Sequence, residues 1–232
     1  MITSISENID QVSAQIAKAC HLAGRSSDSV SLLAVSKTRP AEDIRAAYAC
    51  GLIRFGENYL QEALDKIEQL SDLPLEWHFI GPIQSNKTRP IAEQFDWVHS
   101  VDRFKIGQRL SDQRPPGMAP LNICLQVNIS REESKSGCLP EEAPALARQL
   151  SALPGIRLRG LMAIPKASDD EQEQRRAFAD LRHLLQQLNS DLPGLDTLSM
   201  GMSGDLNPAI AEGATIVRIG TALFGARAPK NA

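Results

Sequence analysis

Eight short apolar runs recur along the chain, and between successive runs there is mostly room for a helix. The runs are "SLLAVS" (31–36), "IRFGEN" (53–58), "EWHFIG" (76–81), "WVHSVD" (97–102), "NICLQVNIS" (122–130), "LRGLMAIP" (158–165), "DTLSMGMS" (196–203) and "TIVRIGTA" (215–222). Their length and near-continuous apolar character suit strands buried on both faces, and the helical spacers make parallel pairing the natural connection. The connectors include "AEDIRAAYACG", ending on a C-cap-like Gly51, "LQEALDKIEQL", "PEEAPALARQLSAL" and the charged "DDEQEQRRAFADLRHLLQQLN". Eight βα units predict an α/β fold closed as a (β/α)8 TIM barrel, with an open doubly wound sheet as the alternative. An extra helix is expected before the first strand, from Ser4 to about Ala23. Ile9, Val12, Ile16, Ala19 and Ala23 have helical period there, and Ser4 and Glu7 are spaced as a capping box. The loops "QRPPGMAP" and "KASDD" interrupt the alternation without ending it, so residues 1–232 read as a single domain.

Composition narrows the partners. A net charge of −3 with Lys and Arg spread along the chain supplies no basic stripe for a phosphate backbone, so nucleic acid is not expected. No apolar run reaches the ~18 residues of a membrane span, and "MITSISENIDQVSAQ" lacks the order of a signal peptide. A cytoplasmic protein is expected, with no membrane partner. Cys20, Cys50, Cys124 and Cys138 show neither a C-x-x-C pair nor ligand-like spacing, which predicts reduced thiols and no metal site.

In a barrel of this kind the chemistry gathers where strands give way to their following loops. The first run ends at Lys37, the second at Glu57 and Asn58, the third at Gly81, the sixth near Met162, the seventh at Ser203 and the eighth at Arg218, Gly220 and Thr221. A buried ammonium is costly, so a lysine delivered straight off a buried strand either reaches water or has a task. The last two loops, "MGMSGD" and "RIGTALFG", offer glycine N–H groups, the hydroxyls of Ser203 and Thr221 and a helix start near Thr221, at the usual phosphate site of such barrels. Tight turns alone would also explain their small residues. Arg218 shares a strand face with Ile216 and Gly220 and needs a partner, either a carboxylate bracing the barrel or a ligand acceptor such as a ring nitrogen.

A strand-end lysine, a phosphate cradle and an arginine between them suit pyridoxal 5′-phosphate held as a Schiff base on Lys37. The amine must be neutral to attack the aldehyde, and partial burial beside Arg218 would lower its pKa in that direction. The motifs themselves carry a family likeness. "LLAVSKT", "RFGENYLQEALDK", "WHFIGPIQSNKTRPI", "VNISREESKSG", "LRGLMAIP", "SMGMSGD" and "VRIGTALFG", in this order from about Ser4 to Ala228, resemble the pyridoxal phosphate homeostasis protein family, called YggS in bacteria and PROSC or PLP-binding protein in animals. The resemblance implies a fold-type III pyridoxal phosphate barrel similar to the N-terminal domain of alanine racemases, with the cofactor on Lys37. It further implies that Asn58 lies near the ring, Met162 packs beside it, Arg218 faces the ring nitrogen, and Ser203, Gly220 and Thr221 hold the phosphate.

The same resemblance favours a cofactor-homeostasis protein over an enzyme, with pyridoxal phosphate-dependent apo-enzymes as partners. An amino-acid racemase would need a second base, and Tyr48 and Tyr59 both fall in early helical stretches. The chain stops a few residues after the eighth strand, where racemases continue into the domain that carries their second base and main dimer contact, so a monomer without turnover is expected. An arginine at the ring nitrogen would also leave it unprotonated and weaken the cofactor as an electron sink. A Schiff-base aldolase would need an acid/base group from among Glu57, His78 and Asp205. His78 and His99 read equally well as hydrogen-bonded core residues. The "SREESKSG" loop, with Lys135 and Gly137, is open between a solvated lid, a gate and a second phosphate site.

Overall fold

The computed structural model describes residues 4–225. Its strands are β1 (Ser31–Val35), β2 (Arg54–Glu57), β3 (Glu76–Phe79), β4 (Trp97–Val101), β5 (Leu121–Gln126), β6 (Ile156–Met162), β7 (Thr197–Ser199) and β8 (Ile216–Ile219). All pair in parallel with their neighbours in sequence, and β1 closes on β8 with Ser31 opposite Ile216 and Leu33 opposite Arg218. The sheet is a closed eight-stranded barrel, as the alternation predicts, and the open sheet is excluded. Residues 1–3 and 226–232, which the single-domain expectation and the end of the family likeness also include, lie outside the described residues.

The helices are α1 (Ile5–Leu22), α2 (Ala41–Ala49), α3 (Leu60–Gln69), α4 (Thr88–Gln94), α5 (Phe104–Gln113), α6 (Ala143–Ser151), α7 (Glu171–Asp191), α8 (Leu206–Ala211) and α9 (Thr221–Phe224). At the start of α1 the Ser4 hydroxyl accepts from the Glu7 N–H and the Glu7 carboxylate from the Ser4 N–H, the capping box read from sequence. Its apolar stripe, Ile9, Val12, Ile16 and Ala19, joins the main core, and Asn8 Nδ2 donates to Leu223 O at 2.9 Å. The added helix therefore braces α9 and the loop after β8.

Side chains alternate across each strand and divide the interior in two. A large layer between strands and helices contains Ala34, Phe55, Phe79, Val98, Ile123 and Leu161. A smaller cluster of Leu33, Trp97, Cys124, Met162 and Ile216 fills the barrel itself. β5 and β7 are shorter than their apolar runs. After β5 the Asn128 N–H turns to Cys138 O, and after β7 Gly201 takes φ +98°, bending the chain where an added Cβ would lie 2.6 Å from that of Ala209.

Candidate cofactor site

At the C-terminal ends of the strands lies a cavity of about 350 Å³, walled by Val35, Lys37, Arg39, Asn58, Ile80, Ile164, Met202, Ser203, Gly204, Arg218, Gly220 and Thr221. Six of the seven residues picked out from sequence, Lys37, Asn58, Ser203, Arg218, Gly220 and Thr221, line this one cavity. Met162 does not reach it. It is buried in the barrel cluster, against which the cavity residue Ile80 also packs, because β6 ends at Met162 with its side chain turned inward.

The turn that presents half-buried Lys37 is held from below. Ser36 is fully buried, its hydroxyl donates to Glu57 Oε1 at 2.6 Å, and its carbonyl accepts from Lys66 Nζ at 2.7 Å. Lys66, on α3, also reaches Glu57 Oε1 at 2.8 Å and Glu62 Oε1 at 2.6 Å. Thr38 takes φ +64°, a conformation uncommon for a β-branched residue, and its N–H donates to Glu62 Oε1. Lys37 thus sits between two residues tied to one buried ion cluster. Burial pushes the Glu57 carboxyl above its usual range despite Lys66 and Ser36. Glu57 is committed to this clamp and His78 to the barrel interior, so neither lines the cavity as an aldolase acid/base group would.

Asn58 enters the cavity because β2 and β3 converge at their ends. A Cβ on Gly81 would stand 2.0 Å from Asn58 O, so only glycine permits this approach, and Ser100 Oγ fixes Gly81 O at 2.6 Å. Asn58 Oδ1 is buried and has no hydrogen-bond partner among the described residues.

Arg218, 4% exposed, forms the deep wall. Its Nη1 donates to Ser199 Oγ at 2.8 Å, its Nη2 to Ala163 O at 3.0 Å, and among the described residues no carboxylate pairs with it. Burial pulls its pKa down to about 10, so it stays charged at neutral pH, with Asp205 acting in the opposite sense from a distance. Of the two partners open from sequence, the bracing carboxylate is not there.

The loop after β5 is pinned beside the mouth. Lys135 Nζ donates to Pro165 O at 2.8 Å, next to the wall residue Ile164. Neither the Lys66 clamp nor the cavity residues Arg39, Ile80, Ile164, Met202 and Gly204 stand out in the sequence. Lys66 alone leaves a trace, since it shares the buried spacing of Ala63 and Leu70.

A family model described as alanine racemase, N-terminal domain, matches residues 8–228. The chain is 66% identical over 226 residues to a Pseudomonas aeruginosa protein named pyridoxal phosphate homeostasis protein, covering 97% of each. It belongs to the pyridoxal phosphate homeostasis protein family. The structure of PipY, the COG0325 family member of Synechococcus elongatus, with PLP bound superposes with a TM-score of 0.84 at 40% identity, over 96% of this chain and 100% of that one. An alanine racemase of Clostridium difficile shares the fold, with a TM-score of 0.78 at 12% identity over 98% of this chain and 58% of the racemase.

Proposed function

We propose that this chain binds pyridoxal 5′-phosphate in the strand-end cavity, on Lys37, and holds it for delivery without turnover, as a vitamin B6 homeostasis protein. The observation that carries the reading is the convergence on one cavity of a lysine on a clamped turn, an arginine with no carboxylate partner among the described residues, and two small-residue loops. The residues fit the cofactor. Asn58 Oδ1 is a buried acceptor awaiting a donor, and Arg218 keeps N–H groups beyond the two it spends on Ser199 and Ala163. When bound, the cofactor supplies an aldehyde with which a neutral lysine amine condenses. Lys37 is the residue placed to hold it, Arg218 to donate to the ring nitrogen, Asn58 to meet the ring's polar edge, and Ser203, Gly220 and Thr221 to take the phosphate. Met162 supports the ring only from the layer below, through the barrel packing it shares with Ile80.

A positive guanidinium facing the ring nitrogen disfavours its protonation, which suits retention over carbanion chemistry. Delivery to apo-enzymes, action as a monomer and a single-domain organisation belong to the same reading. So does a cytoplasmic location, which the four free cysteines support. Among the described residues no helix is long and apolar enough to cross a membrane.

The test is the visible spectrum of the purified protein loaded with pyridoxal phosphate, followed by borohydride reduction and peptide mapping. The label is expected on Lys37, and Lys37→Ala is expected to abolish it with the fold intact. Undiminished labelling of another lysine, such as Lys87 or Lys135, would overturn the assignment.

A further inference from the structure

Behind Arg218 a line of buried polar groups crosses the barrel to its other face. Ser199 Oγ, which accepts from Arg218, lies 2.7 Å from His99 Nδ1; His99 Nε2 lies 2.8 Å from His78 Nδ1; His78 Nε2 lies 2.8 Å from Glu76 Oε1. Glu76 opens β3 at the N-terminal face, partly exposed and also paired with Arg54 Nε at 3.0 Å. Each inner member is buried, and His78 is stacked on Trp97 with ring centroids 5.5 Å apart.

The proton positions follow from one end. His78 and Arg54 hold the Glu76 carboxylate below its usual pKa, so it accepts, and His78 must carry its proton on Nε2. Burial keeps His78 neutral, leaving Nδ1 as an acceptor that the His99 Nε2–H fills. His99, pushed further down by burial and by His78 and Arg218, is neutral too, so its Nδ1 accepts the Ser199 proton. With that proton committed, Ser199 offers Arg218 a lone pair. Every donor along the line points toward Glu76, and a carboxylate at the far face orders the groups that hold the guanidinium.

We propose that Glu76, His78, His99 and Ser199 form a positioning relay that orients Arg218 toward the cavity, so that the acceptor at Glu76 on one face of the barrel is read at the ligand wall on the other. A carboxylate set directly against Arg218 would hold it equally well but would cancel its charge toward the cavity. The relay keeps the geometry and leaves the guanidinium charge facing the cavity, its terminal carboxylate lying across the barrel and paired there with Arg54. The cavity half of the inference rests on pyridoxal phosphate as the ligand; the relay half does not.

Two readouts on the full chain test it. Long-range 1H–15N correlation spectra of the cofactor-free protein are expected to show His78 and His99 as neutral Nε2–H tautomers. In Glu76→Leu the acceptor is gone, and His99 is expected to shift toward Nδ1–H. In Glu76→Gln, which loses the same charge but keeps an acceptor oxygen, the tautomers are expected to return. Pyridoxal phosphate titration is expected to show Glu76→Leu weakened about threefold to tenfold and Glu76→Gln less, a size typical of coupling through packed networks. Thermal unfolding confirms that each variant is folded. A His99 Nδ1–H tautomer in the unaltered protein, or one unmoved in Glu76→Leu, would overturn the relay. Equal weakening in the Leu and Gln variants, or a tautomer shift without any change in affinity, would overturn its connection to the cavity. Failure of the unaltered protein to bind pyridoxal phosphate would instead count against the proposed function, leaving the tautomers to judge the relay.

Discussion

Lys66→Met takes the ammonium out of the clamp beneath Lys37. Glu57 is fully buried and Lys66 only 4% exposed, so neither partner recovers hydration in place. At 2.8 Å with an effective dielectric near 20 their attraction is ~6 kcal/mol, much of it offset by desolvation of both charges. What a variant reports is the cost of stranding one partner, about 3–5 kcal/mol. The folded-state pKa of Glu57 is already raised, and without Lys66 it rises further. A carboxyl with a raised folded pKa costs nothing below its unfolded value and costs progressively more as pH climbs through the folded one. The loss is therefore expected to be larger at pH 8 than at pH 5. Urea unfolding followed by the fluorescence of Trp77 and Trp97, at both pH values, measures it. Adding Glu57→Gln to Lys66→Met removes the stranded charge and is expected to recover at least half of the loss. Destabilisation below about 1 kcal/mol at pH 8, the size of an exposed pair, would refute the reasoning, as would a double variant no more stable than the single one.

If Ser203 and Thr221 take the phosphate as proposed, Ser203→Ala and Thr221→Ala each remove a hydroxyl donor to a charged acceptor, about 1.5–3 kcal/mol. Each is expected to weaken pyridoxal phosphate roughly tenfold to a hundredfold in spectral titration and pyridoxal far less; equal weakening of both ligands would place the cradle elsewhere. Gly81→Ala drives a Cβ into Asn58 O and is expected to cost about 1–3 kcal/mol in urea unfolding while weakening the cofactor through Asn58. His78 and His99 have folded pKa values below the ordinary 6.5, so the unfolded chain binds more protons beneath that value and stability is lost as pH falls through it. With both histidines the slope approaches ~2.7 kcal/mol per pH unit, and His99→Gln is expected to halve it. Incubated with L-alanine in deuterated water, the loaded protein is expected to leave the Cα hydrogen unexchanged; exchange at an enzymatic rate, abolished by Lys37→Ala, would favour a racemase.

Local pattern was enough for the barrel and for most of its mouth. Eight apolar runs with helical spacers leave few ways to bury both faces of each strand, and residues at strand ends must gather at one end of a closed barrel, which brings Lys37, Asn58, Ser203, Arg218, Gly220 and Thr221 together. Met162 shows where that logic stops. Its place at the end of β6 is readable, but whether the side chain rises into the cavity or turns into the barrel depends on strand stagger, which closure determines. The clamp and the relay lay further out of reach. Glu62 and Lys66 are spaced like any exposed helical pair, and His78, His99 and Ser199 are separated by 21 and 100 residues, like any core polar groups. Lys66 is met by Glu57 and Ser36 O as well as by its helix neighbour Glu62, and the histidines by Glu76 and Ser199, on strands distant in the chain, so only the tertiary structure could decide that a carboxylate at one face of the barrel answers an arginine at the other.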